Sequence, residues 1–195
     1  MATRRLEMDA TTVKALAHPM RVQILRILQL RKKASVTSLA EELGETTAAT
    51  SYHLRQLARH GFVEEFDAPD DQEKRAGRKR RSWRMAVDEI HTTGFEFMDN
   101  DETREAFTFL LREDLADRGR RLANWFTTAR DWPQPWQRAS SDMDGHLELN
   151  AAQTRRLADE LAAVIARYRE AKPGRGARLV DVQYAVYPTD TGSRP

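Results

Sequence analysis

Ser35-Val36-Thr37-Ser38-Leu39-Ala40-Glu41-Glu42-Leu43-Gly44-Glu45-Thr46-Thr47-Ala48-Ala49-Thr50-Ser51-Tyr52-His53-Leu54-Arg55-Gln56-Leu57 is the stretch whose reading decides the fold. Ser35 or Thr37 suits the start of a helix running to Leu43, because a side-chain oxygen there satisfies a free N–H of the first turn. Gly44 supplies the left-handed residue that ends it. Thr46 or Thr47 caps a second helix carrying Ala49, Leu54 and Leu57, which stops at His60-Gly61. Two short helices joined by a tight glycine-containing turn form a helix-turn-helix.

Upstream, Val13, Leu16 and Ala17, then Val22, Ile24, Leu25, Ile27 and Leu28, recur at helical spacing. His18-Pro19 splits them into two helices, since proline fits a first helical turn and keeps its predecessor out of helical geometry. Downstream, Phe62 to Phe66 and Arg81 to Val87 read as two short strands joined by a long polar loop, a β-hairpin or wing. Lys74 to Arg81 places six cations in eight residues on the hairpin's tip and returning strand, an electrostatic footprint for a phosphate backbone.

Three segments in this order resemble the ArsR-like winged helix-turn-helix repressors. They are Ala15 to Leu25 with its Ala17-His18-Pro19 core, Val36 to Leu43, and Thr50 to Val63. The resemblance covers roughly residues 9 to 87, less than half of the chain. It implies a dimeric regulator that binds an operator and is often switched by a small ligand. It also implies that Thr47, Ala48, Ser51 and Tyr52 fall at positions that touch DNA, and that a helix following the wing joins the first helix in a two-fold interface.

The helical projection agrees with the implied contacts. Leu54, Leu57 and Ala58 form the packed stripe, which leaves Thr47, Ala48, Ser51, Tyr52, Arg55 and Arg59 outward, with Thr46 and Thr47 at a helix start that favours a phosphate. Hydroxyls hydrogen-bond base edges or phosphates, Ala48 suits a thymine methyl, and Arg55 suits guanine or backbone. From the wing, Arg75, Arg78, Lys79, Arg80 and Arg81 complete the expected double-stranded DNA surface. His53 reads as a partly buried structural or phosphate-contacting histidine, Arg21 as an intramolecular partner on the scaffold helix, and Trp83 as a hairpin anchor.

Beyond His91 the composition changes. Asp99 to Glu102 offers N-caps for a long helix to about Arg130, with Phe107, Leu111, Leu115, Leu122 and Phe126 along one stripe and Leu110 and Trp125 widening it. That stripe either dimerises or packs within its own subunit. Trp125, Phe126, Trp132 and Trp136 lie close in sequence and either line a pocket for an organic effector or form the core of a small domain. Alternation at Gly145 to Leu149, a helix from Asn150 with Leu157, Leu161, Val164, Ile165 and Tyr168 on one face, and alternation again at Arg178 to Tyr187 predict strand, helix, strand.

The expected architecture is therefore mainly α with α+β elements. It comprises a winged helix-turn-helix domain over 9–90, a dimerisation and effector domain over 91–188 and a flexible tail over 189–195. Charge supports the division. The first ninety residues hold 17 Lys/Arg against 13 Asp/Glu, and the remainder 15 against 17. Zero cysteines exclude disulfides, a thiol nucleophile and thiolate metal sensing, so an effector would be organic. No phosphate loop, nucleophile elbow or His-Glu-x-x-His helix appears, and Asp142-Met143-Asp144-Gly145-His146 reads as a turn; neither catalysis, a metal nor a cofactor is expected. The start lacks an apolar leader and no run approaches the roughly 20 apolar residues of a membrane span, so a cytoplasmic protein is expected. These features predict a homodimeric DNA-binding regulator, a repressor on an inverted repeat. A winged helix serving protein interaction is the alternative, kept open by Glu64, Glu65, Asp67, Asp70, Asp71 and Glu73 beside the basic block.

Overall fold

A computed structural model describes residues 4–68, 80–92 and 94–189. The chain divides into two compact units, 2–116 and 117–195 with Met1. Every buried side chain among the described residues belongs to the first.

In the first unit, β1 (Arg5–Glu7) leads to α1 (Ala10–Leu16), α2 (Pro19–Arg31), α3 (Val36–Leu43) and α4 (Thr47–Arg59). Asp9 caps α1 through a reciprocal capping box with Thr12, whose backbone N–H holds the Asp9 carboxylate below its usual pKa. His18 stands extended before α2, its Nδ1 accepting from Met20 N at 3.2 Å, and Pro19 occupies the first turn. Ser35 caps α3, and Gly44 ends it at φ +67°, where a side chain would be strained. The predicted break and caps are thus all present.

β2 (Val63–Ala68) and β3 (Arg80–Met85) pair antiparallel as the wing, with Glu64 opposite Arg84 and Glu65 opposite Trp83. Ala34 adds a single rung: it exchanges backbone hydrogen bonds of 3.0 and 2.8 Å with Trp83. Ile24, Leu28, Leu39, Leu54, Leu57 and Phe62 are fully buried, and the Trp83 ring joins their cluster. β4 (Glu89–His91) pairs in parallel with β1, a small second sheet that the sequence reading did not foresee. The long helix is α5 (Asp101–Thr128), begun by Asn100, whose Oδ1 accepts from Glu102 N at 3.0 Å. Buried Thr103 donates to the Phe97 carbonyl, and Ala106, Phe107 and Leu110 pack on the core.

The second unit holds the end of α5, then α6 (Gln134–Ala139) and α7 (Ala151–Glu170). Asn150 and Gln153 form the expected capping box. The helix of the predicted strand–helix–strand is therefore present, but residues 145–149 and 178–187 form no strand. Alternation states which face a strand would bury, whereas a strand exists only where an edge receives its N–H and C=O groups. Among the described residues no such edge pairs with either segment. Of the anticipated tail, residues 190–195 lie outside the described residues. Among the described residues, no helix is long and apolar enough to cross a membrane.

Trp83 Nε1 is the buried polar side-chain atom without a partner among the described residues. A buried unsatisfied donor costs about 1–3 kcal/mol, whereas losing the whole ring from a core costs about 3–5 kcal/mol. Trp83→Phe is therefore expected to stay within about 1 kcal/mol of the parent, and Trp83→Ala to lose most of the domain's stability. Urea denaturation followed by far-UV circular dichroism checks both.

Candidate nucleic-acid interface

The turn between α3 and α4 is three residues long, Gly44-Glu45-Thr46, so the two helices meet at a fixed angle. Thr46 Oγ1 accepts from Ala49 N at 3.1 Å, and Thr50 Oγ1 returns a bond to Thr46 O at 2.9 Å. This closes the first turn of α4 without any acidic residue. Thr50, His53, Leu54 and Leu57 are buried. Thr46, Thr47, Ala48, Tyr52, Arg55 and Arg59 are exposed, Tyr52 by 54%, and Ser51 is half-buried. The residues predicted to face outward thus share one face of one helix. No carboxylate occurs within α4, and Arg55 and Arg59 make no hydrogen bond or ion pair among the described residues.

The wing presents charge differently. Arg84 Nε donates to Glu64 Oε1 at 2.7 Å while Arg4 reaches the same oxygen at 3.3 Å, and the bond from Arg84 chiefly holds the Glu64 pKa below normal. The Arg84 guanidinium also stacks over Phe66, 4.7 Å from its centroid. Arg81 lies 3.8 Å from Glu65 and is 78% exposed along its side chain, too open for that pair to hold it tightly. The acidic residues of β2 that the sequence left as a source of repulsion are thus in part neutralised across the strand pair. Arg75, Arg78 and Lys79 lie outside the described residues, and for Arg80 only its backbone place at the start of β3 is described. Arg4, immediately before β1, escaped the sequence reading because its contact with Glu64 spans 60 positions and the three-residue strand beside it has no periodicity.

Behind α4, Arg21 Nη1 donates to Ala15 O at 2.6 Å and Nε to His53 Nδ1 at 3.4 Å, while the His18 and His53 rings lie 4.3 Å apart. Arg21 and His53 are therefore intramolecular, as expected. Burial, then the charges of His18 and Arg21, push the His53 pKa down.

The aromatic group anticipated for an effector lies in the second unit. Trp125 and Trp132 meet edge to face at 5.8 Å, and Trp132 and Trp136 at 6.3 Å. All three are half-buried, while Phe126 is exposed.

Helices α2 to α4 with the β2–β3 hairpin make the N-terminal unit a winged helix-turn-helix domain. A family model described as a helix-turn-helix domain matches residues 16–65. No curated protein matches the chain. Solved structures similar to part of it include a transcriptional regulator homologue from Pyrococcus horikoshii OT3, 22% identical over 56% of this chain and 91% of that one, with a TM-score of 0.34. Another is the homodimeric winged helix-turn-helix DNA-binding domain of a possible ArsR-family regulator from Mycobacterium bovis, 25% identical over 55% and 77%, TM-score 0.34. Reduced HlyU from Vibrio cholerae N16961 is 24% identical over 54% and 84%, TM-score 0.32.

His53 gives the stability of the domain a pH dependence. Unfolded, its imidazole takes a proton near pH 6.5; folded, it does so only at lower pH, so the unfolded chain binds more protons as pH falls. Stability is expected to decline from about pH 7 downward until the depressed folded pKa is passed, and His53→Gln to flatten that slope. Denaturation midpoints between about pH 7.5 and 5.5 test this.

Proposed function

We propose that this chain is a DNA-binding transcriptional regulator that acts as a homodimeric repressor on an inverted-repeat operator. The observation that carries the reading is the outward face of α4: hydroxyl, methyl and phenol groups and two guanidinium groups that have no partner among the described residues, with no carboxylate in the helix. Such a surface suits a major groove lined by acceptors and flanked by phosphates. In this reading Thr46, Thr47, Ala48, Ser51, Tyr52, Arg55 and Arg59 sit in the groove or on its rim. Arg75, Arg78, Lys79, Arg80 and Arg81 meet the backbone beside it. The domain plan is a reader over 9–90 and a dimerisation and effector region over 91–188. Trp125, Phe126, Trp132 and Trp136 are the proposed organic-effector pocket of that region. No catalytic step is assigned.

Selection of bound duplexes from random DNA by the purified protein is expected to recover two related half-sites at a fixed spacing. Recovery of no enriched sequence overturns the reading in favour of a winged helix used for protein interaction. On the selected duplex, Arg78→Ala, Lys79→Ala, Arg80→Ala and Arg81→Ala combined should weaken binding to all sequences and reduce the salt slope by several units, about 0.9 for each lost phosphate contact. Arg55→Ala should instead relax discrimination at one position by about 1–3 kcal/mol. Fluorescence anisotropy across a salt series separates the two behaviours.

The dimer reading is supported by Leu111, Leu115, Leu122 and Phe126 on α5, exposed by 44%, 57%, 40% and 60%. A second copy laid on this stripe would bury the same patch on both subunits in an isologous interface. Leu115→Glu, at a position already exposed in the single chain, is expected to give a folded monomer by light scattering where the parent is dimeric. A parent that stays monomeric at micromolar concentration contradicts the assignment.

A further inference from the structure

In the second unit the chain runs without a turn or bend from Ala177 to Tyr187, between Gly176, at φ +79°, and Pro188. Among the described residues, no backbone N–H or C=O of 178–187 has a hydrogen-bond partner. Side-chain contacts nonetheless give the segment two sides. Gln183 Nε2 donates to Asp181 Oδ2 at 2.9 Å, and Arg121 Nε of α5 donates to the same oxygen at 2.7 Å, so these two odd-numbered residues share the side held by α5. Val180 and Val182, on the even-numbered side, are exposed by 61% and 60%. An extended segment with apolar residues on one side and an unpaired row of donors and acceptors is a template for another strand. The unit also lacks what such pairing supplies. Among its described residues no side chain is buried, whereas ordering a chain costs about 1–2 kcal/mol per residue that burial has to offset.

The segment is complementary to a second copy of itself. In a two-fold antiparallel pair, a centre on a residue sets even-numbered positions opposite even-numbered ones, so apolar side meets apolar side. Val182 is the midpoint between Gly176 and Pro188, and a pair centred there uses the whole straight stretch. It sets Val182 opposite itself, Val180 opposite Tyr184 and Arg178 opposite Val186. On the other side Asp181 meets Gln183, a carboxylate facing an amide donor. Neighbouring registers are poorer. A centre on Asp181 opposes two carboxylates, and a centre on Gln183 draws Pro188, which has no N–H to give, into the ladder opposite Arg178.

We infer that residues 178–187 form an antiparallel strand pair with the same residues of a second copy, centred on Val182. The inference rests on the dimer proposed above and adds a second contact to it, one whose backbone hydrogen bonds and side-chain register fix how the two C-terminal units meet. Arg121 prepares the edge by holding Asp181, so each copy presents its strand already extended.

The chain has no cysteine, so a single introduced thiol reports on its own position. Oxidation of full-length Val182→Cys is expected to give a disulfide-linked dimer at least about tenfold faster than Gln183→Cys, because opposed residues lie about 4.5–5.5 Å apart and diagonal ones about 7–8 Å. Val182→Asp and Val182→Lys, at a position exposed in the single chain, should each weaken the dimer at least about tenfold in sedimentation equilibrium. Their equimolar mixture should associate several-fold more tightly than either alone, a rescue that requires position 182 to face itself. A parent that is dimeric by light scattering but yields no Val182→Cys cross-link, a Gln183→Cys cross-link that forms as fast, or a mixture no tighter than its components overturns the strand pair and leaves the α5 dimer standing. A monomeric parent overturns both.

Discussion

The exchange of backbone hydrogen bonds between Ala34 and Trp83 is the constraint on which the winged helix-turn-helix domain depends. Ala34 immediately precedes Ser35, whose side chain caps α3, so the residue that launches the helix-turn-helix is also paired to the returning strand of the wing. A displacement of the hairpin would pull on the α3 cap. Trp83 completes the tie from the other side, because its ring enters the cluster that buries Leu28, Leu39 and Leu54. One residue pair thus couples the pose of the wing to that of the helix pair. Its cost is the unsatisfied indole N–H, accepted in return for a large ring at the junction.

Charge follows the same division of labour. The domain carries many acids for the proposed nucleic-acid reader, 13 against 17 cations in the first ninety residues. Those on β2 are drawn into the hairpin plane by their opposite residues: Glu64 is shared by Arg84 and Arg4, and Glu65 lies near Arg81. Cross-strand pairs of this kind set strand register as much as they add stability. The cations of α4 have no such partners among the described residues. Field is therefore conserved where the groove would be met and cancelled within the scaffold, a distinction that net charge alone hides.

Legibility in the sequence tracked the range of the interaction. The break at His18-Pro19, the caps at Ser35, Thr46 and Asn150 and the left-handed Gly44 are encoded within three or four residues, and each was readable. The exposed face of α4 was readable for the same reason, as a projection of a helix with one buried stripe. The β1–β4 pair was not: Arg5 and Glu89 meet although they are 84 positions apart, and three-residue strands leave no pattern. Around Gly145 to Leu149 and Arg178 to Tyr187 the error ran the other way, because alternation was read as a strand before any pairing edge had been found.

Helical geometry explains why α5 has apolar surface to spare. At about 100° per residue, with Leu111 as origin, Ala106, Thr103, Leu110 and Phe107 fall on an arc from about −140° to −40°. Those four face the core of the first unit: Thr103 is buried, and the other three pack on its apolar cluster. Leu115, Leu122 and Phe126 fall at about +40°, +20° and +60°, so with Leu111 they occupy a separate arc of about 60°. The spacing of these four, with steps of four, seven and four residues, is that of a seam for another helix and is narrower than the stripe of a helix laid on a globular core. The two arcs adjoin but do not coincide. Within the first unit α5 thus turns Thr103, Ala106, Phe107 and Leu110 to the core and leaves Leu111 and Leu115 outside it, which is the surface there on which the proposed dimer draws.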